Sequence, residues 1–332
     1  MLLSIVIKAL NEEVRIESCI QSALKAIDEI AGQGEVILAD SLSDDQTVAI
    51  AQKYPIKIVQ LLDKADRSCG IGAELGYREC SGEFIYILDG DMTLCAGFMP
   101  TAIEYLRQHS NVAGVAGLVE EMVLTNSAMI GRKEKAENSK PDLDATCLNM
   151  GGLYRRSAIQ MVGYLTNRNL HSFEEFELGI RLRSKGWSLV RVNVPSIKHY
   201  GPACSSLKLL LRRWNTRYAC GNGELFKALW GKPYFWRAIA SLRVYRIQMA
   251  TLLVWLFLIT HFSFKNPLHT LGMIFSTWLA VFLWLSVIKL SFAKAAYSLA
   301  AWHIGVFGFF KGLAMTKHNS PVAPISQLIV KK

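Results

Sequence analysis

The sequence predicts an α/β domain with a mostly parallel sheet over residues 1–204, followed by an α-helical membrane region. Three observations carry this expectation. Short apolar, β-branched runs alternate with amphipathic stretches as far as residue 88. Charge then divides the chain, because residues 201–332 hold 16 Lys and Arg against one acid, Glu224, whereas residues 1–200 hold 21 against 26. The basic part also carries seven of the eight Trp and three long runs free of Asp, Glu, Lys and Arg. Basic, Trp-rich and apolar together read as a membrane surface and span. The same pattern argues against a nucleic-acid partner, whose basic footprint would not be interleaved with runs of spanning length. With 51% hydrophobic and 19% charged residues, the chain is also too apolar to be disordered.

The elements follow in order. Residues 2–7 are an apolar run closed by polar residues, the pattern of a strand buried on both faces. Residues 11–30 set Val14, Ile16, Cys19, Ile20, Ala23, Leu24 and Ile27 on one helical face. Residues 35–39 (EVILA), 56–61 and 84–88 (FIYIL) are further strands, and 43–52 and 71–80 the helices between them. Residues 205–246 are basic and aromatic, which suits interfacial helices. In the region 247–332, residues 247–264, 266–288 and 295–310 are the uncharged runs, against the roughly 20 residues a span needs. We expect the first two to cross, joined by a tight hairpin at Lys265, Asn266 and Pro267, with the third in-plane or re-entrant; three spans are the alternative. Arg237, Arg243 and Arg246 before the first span, and Lys289 and Lys294 after the second, place the N-terminal domain in the cytoplasm of a multi-pass inner-membrane protein. The seven Cys form no C-x-x-C pair, which fits a reduced compartment and argues against zinc or a disulfide framework. The N-terminal apolar stretch is short and lacks a basic leader, so it reads as a strand and not as a signal peptide.

Ligands of parallel sheets bind beyond the carboxyl ends of the strands. Those ends carry Asn11-Glu12-Glu13, then Asp40 to Asp45, then Asp89-Gly90-Asp91. Acids at three strand ends suit a cation, or a ligand that brings one. Asp89 and Asp91, one residue apart, can approach one hard cation together; a solvated turn is the plainer reading. Gly70, Gly72 and Gly76 are spaced G-x-G-x-x-x-G, and no acid follows at the right distance, so a dinucleotide fingerprint is rejected.

Four blocks, SIVIKALNEE at 4–13, EVILADSLSDDQT at 35–47, GEFIYILDGDM at 82–92 and FEEFELGIRLRSKGW at 173–187, resemble family-2 glycosyltransferases of the GT-A fold. Beyond residue 200, RRWNTRYACGNG and HIGVFGFFKG resemble segments of membrane-bound members that build exopolysaccharide or lipid-linked glycans. The resemblance implies a nucleotide-sugar donor held by Glu12, Asp40, Asp45, Arg67 and Asp89, and Mg²⁺ or Mn²⁺ held by Asp89, Asp91 and His199. It implies Glu175 as general base with Glu174 beside it, and an acceptor side at Gly151 and Gly152. Arg213 and Trp214 then suit a lipid-linked diphosphate; plain attraction to anionic lipid is the other reading of those bases. His199 also reads as a hydrogen-bonded core residue. The family usually has Gly-Ser-Thr-Asp where this chain has Leu42-Ser43-Asp44-Asp45, and often Asn where it has Glu74. The expected function is inverting transfer of a sugar, from a UDP-sugar in first preference, to a lipid-linked or polysaccharide acceptor at the cytoplasmic membrane face. The alternatives are a non-catalytic membrane component of a glycan-assembly complex, which the departures favour, and a nucleotidyltransferase, which leaves the spans unexplained.

Overall fold

The computed structural model describes residues 1–137, 143–149, 151–262, 267–316, 318 and 326–330. The chain divides into two compact units, one of residues 1–203 with 317–332, the other of residues 204–316.

The first unit opens with β1 (Leu3–Ala9), α1 (Ile16–Asp28), β2 (Gly34–Asp40), α2 (Thr47–Ala51), β3 (Lys57–Leu61), α3 (Cys69–Arg78) and β4 (Phe84–Asp89). It continues through β5 (Met92–Leu94), α4 (Phe98–Gln108), β6 (Val112–Glu121), α5 (Ser127–Glu137), β7 (Gly152–Arg155), α6 (Arg156–Val162), α7 (Glu174–Ser184) and β8 (Ser188–His199). The second unit holds α8 (Ser206–Asn215), α9 (Gly221–Leu229), α10 (Phe235–Ser241), α11 (Arg243–Phe262), α12 (Pro267–Lys289) and α13 (Phe292–Ala314); β9 (Ser326–Val330) belongs to the first.

Nine strands form one sheet in the order β5-β8-β6-β7-β4-β1-β2-β3-β9. The run β4-β1-β2-β3 is parallel, with Ile7 opposite both Leu38 and Leu88. Alternation along a strand splits the core. Leu3, Ile5 and Ile7 pack under α1 and α4, and Val6 packs on the opposite face with Ile71 and Leu75 of α3. Lys8 therefore falls on the α3 face, with Val6. Asp89 shares that face, two residues on from Ile87 and four from Ile85.

The first expected helix begins at Ile16, later than residue 11, because Asn11 adopts a left-handed backbone (φ 59) that an α-helix does not admit. The second shrinks to Thr47–Ala51, because Asp45 and Ser43 are drawn into turn hydrogen bonds. The expected third apolar segment forms the 23-residue helix α13. Two helices, Arg243–Thr260 and Leu268–Lys289, are long and apolar enough to cross a membrane. Lys265 and Asn266 of the expected hairpin lie outside the described residues.

Candidate active site

The carboxyl ends of β1, β2 and β4, the end of β8 and the start of α7 bring most of the expected site residues of the first unit together. Three non-glycine residues at the connections out of these strands and into α7 have positive φ: Asn11 (59), Leu42 (60) and Phe173 (67). For Leu and Phe that region is sterically costly.

At the β2 end, Asp40 is fully buried. Its Oδ1 accepts from the Ser43 hydroxyl at 2.5 Å, and its Oδ2 from the Ser43 amide at 3.0 Å and Gln60 Nε2 at 2.8 Å. Asp45 Oδ1 accepts from the Thr47 hydroxyl at 2.5 Å, and Oδ2 from the Glu13 amide at 3.1 Å. Desolvation would raise its pKa, but these hydrogen bonds prevail and hold it below the usual value. The Glu12 amide donates to the Thr47 hydroxyl at 2.8 Å, so the loop after β1 is tied to the start of α2. Arg67 Nε donates to the Ser41 carbonyl at 2.8 Å and its Nη2 to the Leu42 carbonyl, clasping the left-handed turn; Lys64 pairs with Asp44.

At the β4 end, Asp89 Oδ1 lies 2.8 Å from Lys8 Nζ, and Glu174 Oε1 lies 3.6 Å from the same nitrogen. Burial works to lower the Lys8 pKa, but Asp89, Glu174 and Glu175 outweigh it and keep the ammonium charged. Gly90 is closely approached: a Cβ would meet Glu12 Cγ at 3.0 Å and the Lys8 carbonyl at 3.2 Å. Asp91 Oδ2 faces His199 Nε2 at 3.4 Å, and Glu121 Oε2 meets His199 Nδ1 at 2.7 Å. Burial would lower the His199 pKa; the two carboxylates prevail and raise it to about 9.

Glu175 is 9% exposed and its Oε2 is buried without a hydrogen-bond partner among the described residues. Desolvation, opposed by Lys8 and reinforced by Glu174, raises its pKa to about 8. The loop that delivers it is anchored from two sides. Glu74 Oε2 accepts from the Leu165 and Thr166 amides at 2.9 and 3.2 Å, and Arg181 donates to Glu177 and to the Tyr164 and Leu165 carbonyls. Burial raises the Glu74 carboxyl to about 7. The glycines of α3 are packing devices: a Cβ on Gly70 would fall 2.0 Å from the Asn167 carbonyl oxygen, and one on Gly76 2.3 Å from Val6 Cγ1.

Gly151 (φ 94) abuts the Tyr86 hydroxyl, which a Cβ would meet at 2.7 Å; Gly152 is buried at the start of β7. Arg213 and Trp214 belong to the second unit, where Arg213 donates to the Tyr297 hydroxyl at 3.5 Å and Lys311 Nζ lies 4.6 Å over the Trp214 ring.

Asp91 and His199 offer an oxygen and a nitrogen to a divalent cation, with the other ring nitrogen already held by a carboxylate. Among the described residues no three His, Cys, Asp or Glu side chains converge on one point. The residues therefore fit a cation whose shell is completed by oxygens of a ligand. Sequence reasoning missed Lys8 and Glu121. Lys8 had a signal, a single charge at the end of a buried strand. Glu121 had none, because the strand that carries it was not expected.

Residues 4–163 match the family model described as glycosyl transferase family 2. This part of the chain belongs to that family. No curated protein sequence matches the chain. Among solved structures, the mannosyltransferase PcManGT from Pyrobaculum calidifontis, in complex with GDP-Man and Mn²⁺, is 18% identical with a TM-score of 0.56, over 92% of this chain and 87% of that one. S. aureus TarS 1–349 is 15% identical with a TM-score of 0.52, over 94% and 90%, and its complex with UDP gives 0.50. Against the longer S. aureus TarS structure, this chain covers 43% of that chain. These likenesses establish the GT-A fold. Leu42 keeps a left-handed backbone that glycine would adopt freely.

Proposed function

We propose that the first unit is the catalytic domain of an inverting, metal-dependent glycosyltransferase. It moves a sugar from a nucleotide-sugar, UDP-sugar favoured, to a lipid-linked or polysaccharide acceptor at the cytoplasmic face of the membrane. The observation that carries the reading is Glu175, a buried carboxyl with a raised pKa and an unpartnered oxygen beside Asp89, Lys8 and Glu174. A general base works best when its pKa lies near the operating pH.

In this reading Asp40, Asp45, Glu12 and Arg67 shape the donor pocket at the β2 end, with Arg67 adding positive charge towards the diphosphate. Asp91 and His199 would hold Mg²⁺ or Mn²⁺, with oxygens of the donor diphosphate completing its shell; when bound, the cation supplies positive charge to the departing nucleoside diphosphate. Lys8 fixes Glu174 and Asp89 in place. Glu175 takes the proton from the acceptor hydroxyl, and that oxygen attacks the anomeric carbon from the face opposite the leaving diphosphate, so one displacement inverts the configuration. Gly151 and Gly152 keep the acceptor side open, and Arg213 and Trp214 meet a lipid diphosphate. The GDP-Man and Mn²⁺ in the mannosyltransferase complex and the UDP in the TarS complex support a nucleotide-sugar and a cation. Outward-facing Leu253, Phe257, Leu271, Phe275 and Val287 on α11 and α12 support contact with lipid.

The test is donor turnover by the detergent-purified full chain across UDP-, GDP- and dTDP-sugars, with and without Mn²⁺, beside Asp91→Asn. Mn²⁺-dependent release of one nucleoside diphosphate, lost in the variant, is the expected result. Failure to bind any of these donors overturns the reading.

A further inference from the structure

Glu121 ends β6 and His199 ends β8; the two strands run parallel there, with the two residues paired in register. The Glu121 side chain is 1% exposed, yet it is a carboxylate. Such a group is retained only where it is paired. One oxygen meets His199 Nδ1 at 2.7 Å, and Arg132 Nη1 approaches the other at 3.5 Å. The imidazole is thus strung between Glu121 and Asp91. Its far edge is confined by Gly201, where a Cβ would come within 2.8 Å of His199 Cε1.

We propose that Glu121 is a positioning residue for the cation site: it accepts the Nδ1 hydrogen of His199 and so turns the Nε2 lone pair towards the metal held with Asp91. A hydrogen bond at one ring nitrogen fixes both the tautomer and the ring plane, and a carboxylate acceptor makes the other nitrogen the better donor to a metal. A core pair serving packing alone would not need its second nitrogen facing Asp91. The inference rests on the metal-dependent reading above.

The test measures Mn²⁺ affinity in the presence of UDP, by the electron paramagnetic resonance of free Mn²⁺, on the full-length protein. The variants are Glu121→Gln, His199→Ala and the double variant. Loss of such an outer partner costs ~10–100-fold in metal affinity, and we expect that loss for Glu121→Gln, with UDP binding in the absence of metal unchanged. Because Glu121 acts through His199, the double variant should bind no more weakly than His199→Ala alone. A Glu121→Gln Kd equal to that of the parent, or additive losses in the double variant, overturns the role of Glu121 while leaving the enzyme reading intact. A parent protein that binds UDP but shows no saturable Mn²⁺ site overturns both. If Glu121→Gln loses metal-free UDP binding through misfolding, Glu121→Asp replaces it, since it keeps the charge and retracts the oxygen; an unchanged Kd there also overturns the proposal.

Discussion

Replacing Glu175 by Gln tests the proposed base through stability as well as activity. Burial raises this carboxyl from its ordinary value of 4.5 to about 8. The unfolded chain therefore gives up its proton at lower pH than the folded one, and between those values folding takes a proton up. The protonated form's contribution to stability is fully present below about 4.5 and is lost as pH rises towards about 8. At ~1.4 kcal/mol per unit, the loss is about 3 kcal/mol near pH 7, about 5 near pH 9 and less than about 1 near pH 5. Gln has the shape of the protonated acid and carries none of this pH dependence. The variant should thus be more stable than the parent by about 3 kcal/mol near pH 7, or ~6–12 °C in Tm for a unit of this size. Thermal unfolding of the two detergent-purified proteins at about pH 5, 7 and 9 reads the difference, and donor binding and transfer are measured on the same samples. The variant should bind donor and fail to transfer. Tm curves that run parallel across this range refute the burial argument; a Gln variant that transfers sugar refutes the base.

The same carboxyl sets the pH dependence of the parent: log kcat/KM should climb with unit slope and level off at about 8, as Glu175 becomes able to accept a proton. A flat profile across that range removes it from the rate. Gly70→Ala forces a Cβ to within 2.0 Å of the Asn167 carbonyl oxygen, so it should cost ~1–3 kcal/mol or more by denaturant unfolding. Gly131→Ala, in a helix and with none of the described residues within 4 Å of the added Cβ, should instead gain ~0.4–1 kcal/mol. Alkaline carbonate washing should leave the protein in the membrane pellet, and its release into the supernatant would count against α11 and α12 as spans.

The parallel core was legible because its strands are buried on both faces: SIVIKA, EVILA and FIYIL read as continuous apolar runs, and the acids that end them read as a ligand side. The strands outside that parallel run were harder. The stretch VAGVAGLVEE is rich in Ala and Gly, and β9 lies far from its partner β3 in sequence, so no local pattern announces either. Glu121 was hidden for that reason, since its meaning depends on a register with β8 that only the folded sheet supplies. The glycines 70–76 gave the opposite difficulty. Their spacing approaches a dinucleotide fingerprint without meeting it, and their cause is close packing of α3 on Val6 and on the loop at Asn167.

The costly features of this unit lie at the same strand ends. Leu42 and Phe173 hold left-handed backbones, Glu175 is desolvated, and Lys8 sits buried among acids. The Leu42 turn and the loop leading to α7 each have a brace directed at them from elsewhere. Arg67 donates to the carbonyls of Ser41 and Leu42, so the strained turn cannot relax without losing both bonds. Glu74 and Arg181 grip Tyr164, Leu165 and Thr166, the loop that leads to Phe173 and Glu175. Strain that is opposed by specific partners is what a preorganised site requires, because the positions of the reacting groups are then fixed before a ligand arrives. On that argument Glu74 steadies the loop at Leu165 and Thr166 that leads to α7, although it touches none of the reacting groups. An acid suits this place because one of its oxygens accepts from two adjacent backbone amides, and those two hydrogen bonds offset part of the burial that raises the carboxyl to about 7.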